Sequence, residues 1–289
     1  MVQVSERRPV GRKKLAAVIA AAALLLSGCS PVDESELKRL ALPIAGSDRS
    51  EPMWHLWLGT WIAVLVVFVL VFALIMYAPI RYRRRAGQTD APSQIRYNLP
   101  IEALYTIAPL VVVAAFFFHT VQAQNSMLDD SETPDHTIEV VGSKWQWTFN
   151  YLDSEATGGE PVYDQGDTEN LPDLYLPVDE TVEFQLFSPD VIHSFWIPEF
   201  YFKMDVIPGE GPQDNRFQMT PTREGTFTGR CAELCGVYHT RMLFNVHVVS
   251  RAEYDAHLEE LQQEGQIGRP QGASDSTTVT GLGDNGGEG

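Results

Sequence analysis

Thr181-Val-Glu-Phe-Gln-Leu-Phe187 and Leu243-Phe-Asn-Val-His-Val-Val249 decide the fold of the C-terminal half of this chain. Polar and apolar residues alternate in both, and a period of two sends successive side chains to opposite sides of an extended strand. Further strand candidates are Thr137 to Tyr151, Asp173 to Val178, Phe200 to Val206, Asn215 to Met219 and Gly225 to Arg230. Pro189, Pro198, Pro208-Gly209, Gly211-Pro212 and Pro221 punctuate them. Many short strands separated by turns predict an all-β sandwich or barrel over residues 124–251. A short helix over 252–264 follows, with Tyr254, Leu258 and Leu261 on one face and acids on the other. From Gly265 to the end, 265–289, Gly, Ser, Asp and Thr dominate, and a disordered tail is expected.

Upstream of the β domain lie two long apolar stretches. No formally charged residue falls between Glu51 and Arg81, or between Glu102 and Asp129. Both are long enough to cross a bilayer, so transmembrane helices are predicted at 53–79 and 100–123, with Pro109 tolerated inside the second. Trp54, Trp57, Trp61 and Tyr77 sit near the ends of the first, where interfacial aromatics belong. The connecting loop, 80–99, carries Arg81, Arg83, Arg84, Arg85 and Arg96 against Asp90 alone, which places it in the cytoplasm by the positive-inside rule. The β domain is then extracytoplasmic. At the N-terminus, Arg7, Arg8, Arg12, Lys13 and Lys14 precede the apolar stretch Leu15 to Leu26, which is too short to span a bilayer. Residues 1–28 read as an export signal, followed by an extracytoplasmic segment, 29–52. Leu26-Ser27-Gly28-Cys29 resembles the lipobox of bacterial lipoproteins, which implies lipidation of Cys29.

The 289 residues carry a formal net charge of −17. From Ala123 onward there are 30 acidic and 8 basic residues, against 8 and 13 in the first 122. An acidic extracytoplasmic domain repels phosphate backbones and attracts basic proteins, so nucleic acid is excluded as a partner class. Three cysteines are too few for a disulfide scaffold.

Chemistry concentrates in Cys231-Ala-Glu-Leu-Cys235-Gly-Val-Tyr-His239-Thr-Arg-Met242. Thiolate, imidazole and thioether together favour copper over hard cations, and a histidine–cysteine set with a weak methionine describes copper electron-transfer sites. Two thiolates can each bridge two metal ions. His193, in Val191-Ile-His-Ser-Phe-Trp196, is the candidate second imidazole. A Cys231–Cys235 disulfide leaves both histidines without a role, and zinc does not explain the methionine. Gly142-Ser-Lys-Trp-Gln-Trp147 is the next feature, with Trp145 and Trp147 expected on the same side of a strand. Asp153 to Asp173 carries seven acids and no base and reads as a solvated loop.

These residues, with the membrane hairpin before them, resemble subunit II of the haem–copper cytochrome c oxidases over about residues 50 to 250. The resemblance implies a cupredoxin-type β-sandwich holding the dinuclear copper centre CuA, with Cys231 and Cys235 bridging. It assigns His193 and Met242 to one copper, and His239 with the Glu233 carbonyl to the other. The Glu233 side chain is then a ligand to Mg²⁺ shared with subunit I. Trp145 is implied as the electron-input residue, with Gln146 departing from the aromatic found in many relatives. Glu102, in Leu99-Pro-Ile-Glu-Ala-Leu-Tyr-Thr-Ile-Ala-Pro109, suits the helix dipole in any case and by resemblance marks the mouth of a proton-uptake path. The chain is implied to accept electrons from cytochrome c or a cytochrome bc complex and to pass them to haem in subunit I, where oxygen is reduced to water and protons are pumped. No haem motif is present in this chain. The acidic segment, or carboxylates such as Asp190 and Asp205, offers a docking face for a basic cytochrome. The competing reading is a membrane-anchored copper-handling or thiol–disulfide protein for oxidase assembly, which would also use Cys-x₃-Cys and a histidine. A metal-free quinol-oxidase subunit would lack the ligand set.

Overall fold

The computed structural model describes residues 37–84, 87, 94–152, 154–209 and 214–272. The export signal and Cys29 fall outside them. Residues 37–44 belong to a separate unit and form a short turned segment in which Arg39 Nε donates to the Leu42 carbonyl at 3.1 Å.

Two helices open the main unit, α1 (Ser50–Arg81) and α2 (Leu99–Met127). Both are long and apolar enough to cross a membrane. Most of the apolar side chains in their middle stretches are exposed, as lipid-facing surfaces must be. Asn98 caps α2: its side chain accepts the Ile101 N–H at 3.4 Å, while the Glu102 carboxylate accepts the Asn98 N–H at 2.8 Å. Arg49, just before α1, donates to the carbonyls of Ser126 and Asp129 at the end of α2, which ties the two outer ends together. The cation also suits the negative end of the helix dipole.

Ten strands follow among the described residues: β1 (His136–Ser143), β2 (Gln146–Tyr151), β3 (Val162–Gln165), β4 (Asp173–Pro177), β5 (Val182–Phe187), β6 (His193–Ile197), β7 (Phe202–Val206), β8 (Arg216–Met219), β9 (Gly225–Cys231) and β10 (Leu243–Val249). They make two five-stranded sheets, ordered β3-β2-β1-β5-β8 and β4-β10-β9-β6-β7. β1 runs parallel to β5, with Val140 opposite Leu186, and β10 runs parallel to β4, with Val246 opposite Leu174. Trp147, Phe149, Phe184, Phe195 and Phe244 fill the space between the sheets, with Phe195 and Phe244 stacked at 5.1 Å. Gly229 is required by this packing, since a Cβ there would stand 2.0 Å from the Phe244 ring. Helix α3 (Arg251–Gln263) closes the sandwich by burying Tyr254, Leu258 and Leu261, and Ser250 with Glu253 forms its capping box.

Several expectations need correction. The acidic segment is not all loop, because Val162–Gln165 pairs with the free edge of β2, where backbone groups would otherwise lack partners. Trp145 and Trp147 do not share a strand face. A turn breaks the stretch Thr137 to Tyr151 before Gln146, leaving Trp145 in the turn and Trp147 in the core. Both faces of β5 are covered: Glu183 and Gln185 are buried, and the Gln185 amide donates to the Glu183 carboxylate at 2.9 Å. Residues 265–272 are not a free tail: the Gly268 N–H donates to the Pro161 carbonyl at 2.8 Å and Ile267 bridges Val162.

Candidate metal centre

β9 ends in Cys231, and the chain then turns through residues 232–242 before re-entering the sheet as β10. The loop is held at its base by the Cys231 N–H, which donates to the Met242 carbonyl at 3.0 Å, and by Trp147 Nε1 on the same oxygen at 3.4 Å. It is fixed laterally by the Ala232 N–H, which donates to the Ser194 carbonyl on β6 at 3.0 Å. That bond brings His193 beside the cysteines although 38 positions separate it from Cys231.

The donor atoms converge on one buried volume. Cys231 Sγ lies 3.8 Å from Cys235 Sγ and 3.9 Å from His193 Nδ1. Cys235 Sγ lies 3.7 Å from His239 Nδ1 and 3.8 Å from Met242 Sδ. The Glu233 carbonyl oxygen is 3.2 Å from Cys231 Sγ. The ligand atoms of His193, Cys231 and Cys235 all fall within 4.8 Å of one another, and the three residues are buried. Both cysteines are free thiols at a separation well beyond a disulfide bond. Sulfur, imidazole and carbonyl donors crowded this closely fit a soft metal site.

Electrostatics favour loss of one proton from the pair. The neighbouring Cys235 thiol stabilises the Cys231 thiolate first, burial opposes it, and His193 supports it, which holds Cys231 down at about 3. Cys235 is pushed far above an ordinary thiol by that thiolate and by burial. One proton is easily lost from the pair, and the second leaves only when a cation takes its place.

His193 is oriented from behind. Its Nε2 meets Asp190 Oδ1 at 2.9 Å, which fixes the tautomer that leaves the Nδ1 lone pair facing the sulfurs. Asp190 is in turn held by the amides of Lys144 (2.7 Å, to Oδ2) and Val191 (2.6 Å, to Oδ1). Burial pushes its carboxyl up, but the His193 bond and these amides outweigh that and keep it below the ordinary carboxylate value. Asp190 is therefore turned inward with its side chain 6% exposed and does not belong to a docking face. Sequence reasoning missed its positioning role; the signal available was its place three residues before His193.

The remaining candidate residues are scattered. Trp145 is half-buried against the loop, where a Cβ on Gly236 would come within 2.9 Å of the indole, and it meets Tyr238 edge-on at 5.1 Å. The Glu233 side chain is exposed at the loop tip, between Ala232 and the exposed Leu234. Asp205 is exposed on β7. Glu102 lies at the far end of α2, away from the sulfurs, and serves there in the helix cap. The other described histidines do not join the centre: His247 bonds Asp173 at 2.9 Å, and His257 stacks on Tyr175 at 3.8 Å.

Comparison with known proteins places this geometry in context. The family description "Cytochrome C oxidase subunit II, periplasmic domain" matches residues 136–249, from the start of β1 to the end of β10. A Streptomyces avermitilis protein named probable cytochrome c oxidase subunit 2 is 43% identical over 296 residues, covering 91% of each chain. The cytochrome c oxidase subunit 2 of Mycobacterium tuberculosis is 32% identical over 295 residues, covering 85% of this chain and 80% of that one. Among solved structures, the periplasmic domain of subunit II of cytochrome oxidase from Bradyrhizobium japonicum covers 46% of this chain and 97% of its own, at 28% identity and a TM-score of 0.40.

Proposed function

The chain belongs to the cytochrome c oxidase subunit II family, and from that premise we propose that it is the electron-input subunit of a respiratory oxidase, holding a dinuclear CuA centre. The convergence of two thiolates, two imidazoles, a thioether and a carbonyl on one buried volume carries the reading. Cys231 and Cys235 would bridge two coppers, His193 and Met242 completing one and His239 with the Glu233 carbonyl the other. Bound there, the pair supplies one-electron chemistry with little change of geometry. The protein's part is rigidity and exclusion of water: Cys231, Cys235, His193 and Met242 are buried, and the loop is tied to β6 and β9 by backbone bonds. Donors held in fixed positions need little reorganisation when charge changes.

Trp145, packed on Gly236 and Tyr238 at the surface of the loop, receives the electron from the donor, a cytochrome c or a cytochrome bc complex carrying basic groups. The acidic residues of the domain favour such a partner. Glu102, at the water boundary of α2, collects protons for subunit I. The exposed Glu233 carboxylate is available to a Mg²⁺ ion shared with subunit I. Catalysis, the reduction of oxygen coupled to proton pumping, belongs to the assembled complex. The arginine-rich loop between the helices puts the β-sandwich outside a bacterial cell membrane, and cleavage after an export signal with lipidation of Cys29 completes the proposed topology. Copper analysis with electron paramagnetic resonance of the purified oxidase tests the centre. Two coppers per copy, with one electron shared equally between both nuclei in the hyperfine pattern, are expected. A single-copper pattern or zinc alone would overturn the assignment.

A further inference from the structure

The segment after α3 leads back to the metal centre. The Gln266 carbonyl accepts the Tyr163 N–H at 3.1 Å, and the Gly268 N–H donates to Pro161 at 2.8 Å, so the chain lies along the edge of β3. Arg269 then reaches Glu139, a carboxylate of β1 with no solvent exposure. Arg269 Nε donates to Glu139 Oε1 at 3.0 Å and Nη2 donates to Oε2. Gln271 Nε2 and Asn150 Nδ2 each donate to Oε1 at 2.8 Å, and the Asn150 amide also donates to the Pro270 carbonyl at 3.1 Å. A buried carboxylate needs such compensation, so residues 266–272 are fastened by a charged pair and its neutral helpers.

The fastened segment ends where the His193 arm begins. Gly272 has φ +77°, and a Cβ there would stand 3.1 Å from Pro189 Cγ and 3.2 Å from Ser143 Oγ. Pro189 immediately precedes Asp190, which orients His193, and Ser143 immediately precedes Lys144, whose amide holds Asp190. One short strap therefore runs close to both sides of the cradle around the Asp190 carboxylate, with little room for a side chain at Gly272. We propose that residues 266–272, fastened by Arg269 on Glu139, act as a clamp that positions the Asp190–His193 arm of the centre. Arg269 is thus a positioning residue, remote from the donor atoms. The inference rests on the reading of His193 as a metal ligand, but its primary test needs no metal.

Hydrogen exchange of the full-length, copper-free chain in detergent follows the amides of Lys144 and Val191, both of which donate to Asp190. Arg269→Met is expected to speed their exchange by about ten-fold or more through local opening, with Arg269→Lys restoring much of the protection. Val182→Ala, a core truncation in β5, controls for general loosening and should leave these two amides closest to wild type. Where Arg269→Met does not fold, Gln271→Ala, which removes one neutral donor, decides by a smaller acceleration of the same two amides. In the copper-loaded oxidase, Arg269→Met should also alter the copper hyperfine pattern, and Val182→Ala should not. Unchanged exchange in the strap variants, or equal acceleration by Val182→Ala, would reduce the strap to an ordinary stabilising contact. Clamp behaviour in a wild-type chain that takes up no copper on reconstitution would instead sink the metal reading alone.

Discussion

The loop from Cys231 to Met242 and the helix α3 that closes the sandwich are built on opposite principles. The loop contains little regular structure, gathers donor atoms at 3.2 to 3.9 Å, and is held by a few directed bonds to β6 and β9. Helix α3 has a complete capping box and buries Tyr254, Leu258 and Leu261 against the sheets without offering any donor to the centre. Directed bonds fix geometry and contribute modestly to net stability, whereas apolar burial contributes most of the stability and fixes no ligand. The comparison therefore separates the chain into a part that defines the site and a part that keeps the sandwich folded.

The largest effect should come from the loop. Cys231→Ser or Cys235→Ser removes a bridging sulfur, so dialysed protein should retain no native centre by copper analysis, while the metal-free chain melts close to wild type. A variant that kept full oxidase activity would break both the ligand assignment and the separation. On the other side, Leu258→Ala should cost about 2–5 kcal/mol in urea unfolding of the metal-free chain. Its copper hyperfine pattern should match wild type. A shifted pattern would mean that core packing reaches the donor atoms.

How much of this was legible in the sequence follows the same division. The loop donors lie within twelve consecutive residues, and local spacing alone suggested their chemistry. Helix α3 announced itself through the spacing of Tyr254, Leu258 and Leu261. Asp190 did not, because an inward carboxylate looks like a surface one until the Lys144 amide is brought to it across the fold. Val162–Gln165 looked like loop because an edge strand needs only a neighbour's free backbone groups, not an apolar pattern. Arg269 and Gln271 belonged to an expected tail because their partner, Glu139, lies more than a hundred positions away. Information carried by tertiary pairing is not present in local composition.

Asp190→Asn sharpens the comparison at intermediate size. The amide keeps the shape of the side chain but weakens its hold on His193 Nε2 and presents a mismatched donor to either the Lys144 or the Val191 amide, which use different oxygens of the carboxylate. Loss of such a supporting carboxylate should lower copper affinity by about 10–100-fold, measured by competition with a chelator. An effect as large as Cys231→Ser would show that the arm and the loop are equal partners, and no effect would remove Asp190 from the site.

The smallest effect lies beside α3 and concerns pH. Burial first, then the charges of Asp173 and Glu264, push Asp164 up to about 6 from an ordinary 3.8. His257, whose Nε2 has no hydrogen-bond partner among the described residues, is pushed down to about 4 from 6.5, by burial first and then by His247. The signs oppose. The raised carboxyl contributes stability that is present below pH 3.8 and lost as pH rises through about 6. The depressed imidazole contributes stability that is present above pH 6.5 and lost as pH falls through about 4. Between those limits the two nearly offset in wild type. Asp164→Asn removes one of them, so urea unfolding of the metal-free chain should show the variant more stable than wild type at pH 7, the advantage shrinking to nothing toward pH 4. A constant difference across that range would mean that Asp164 titrates normally, and any accompanying change in copper affinity at fixed pH would show that this side of the sandwich is not energetically separate from the loop.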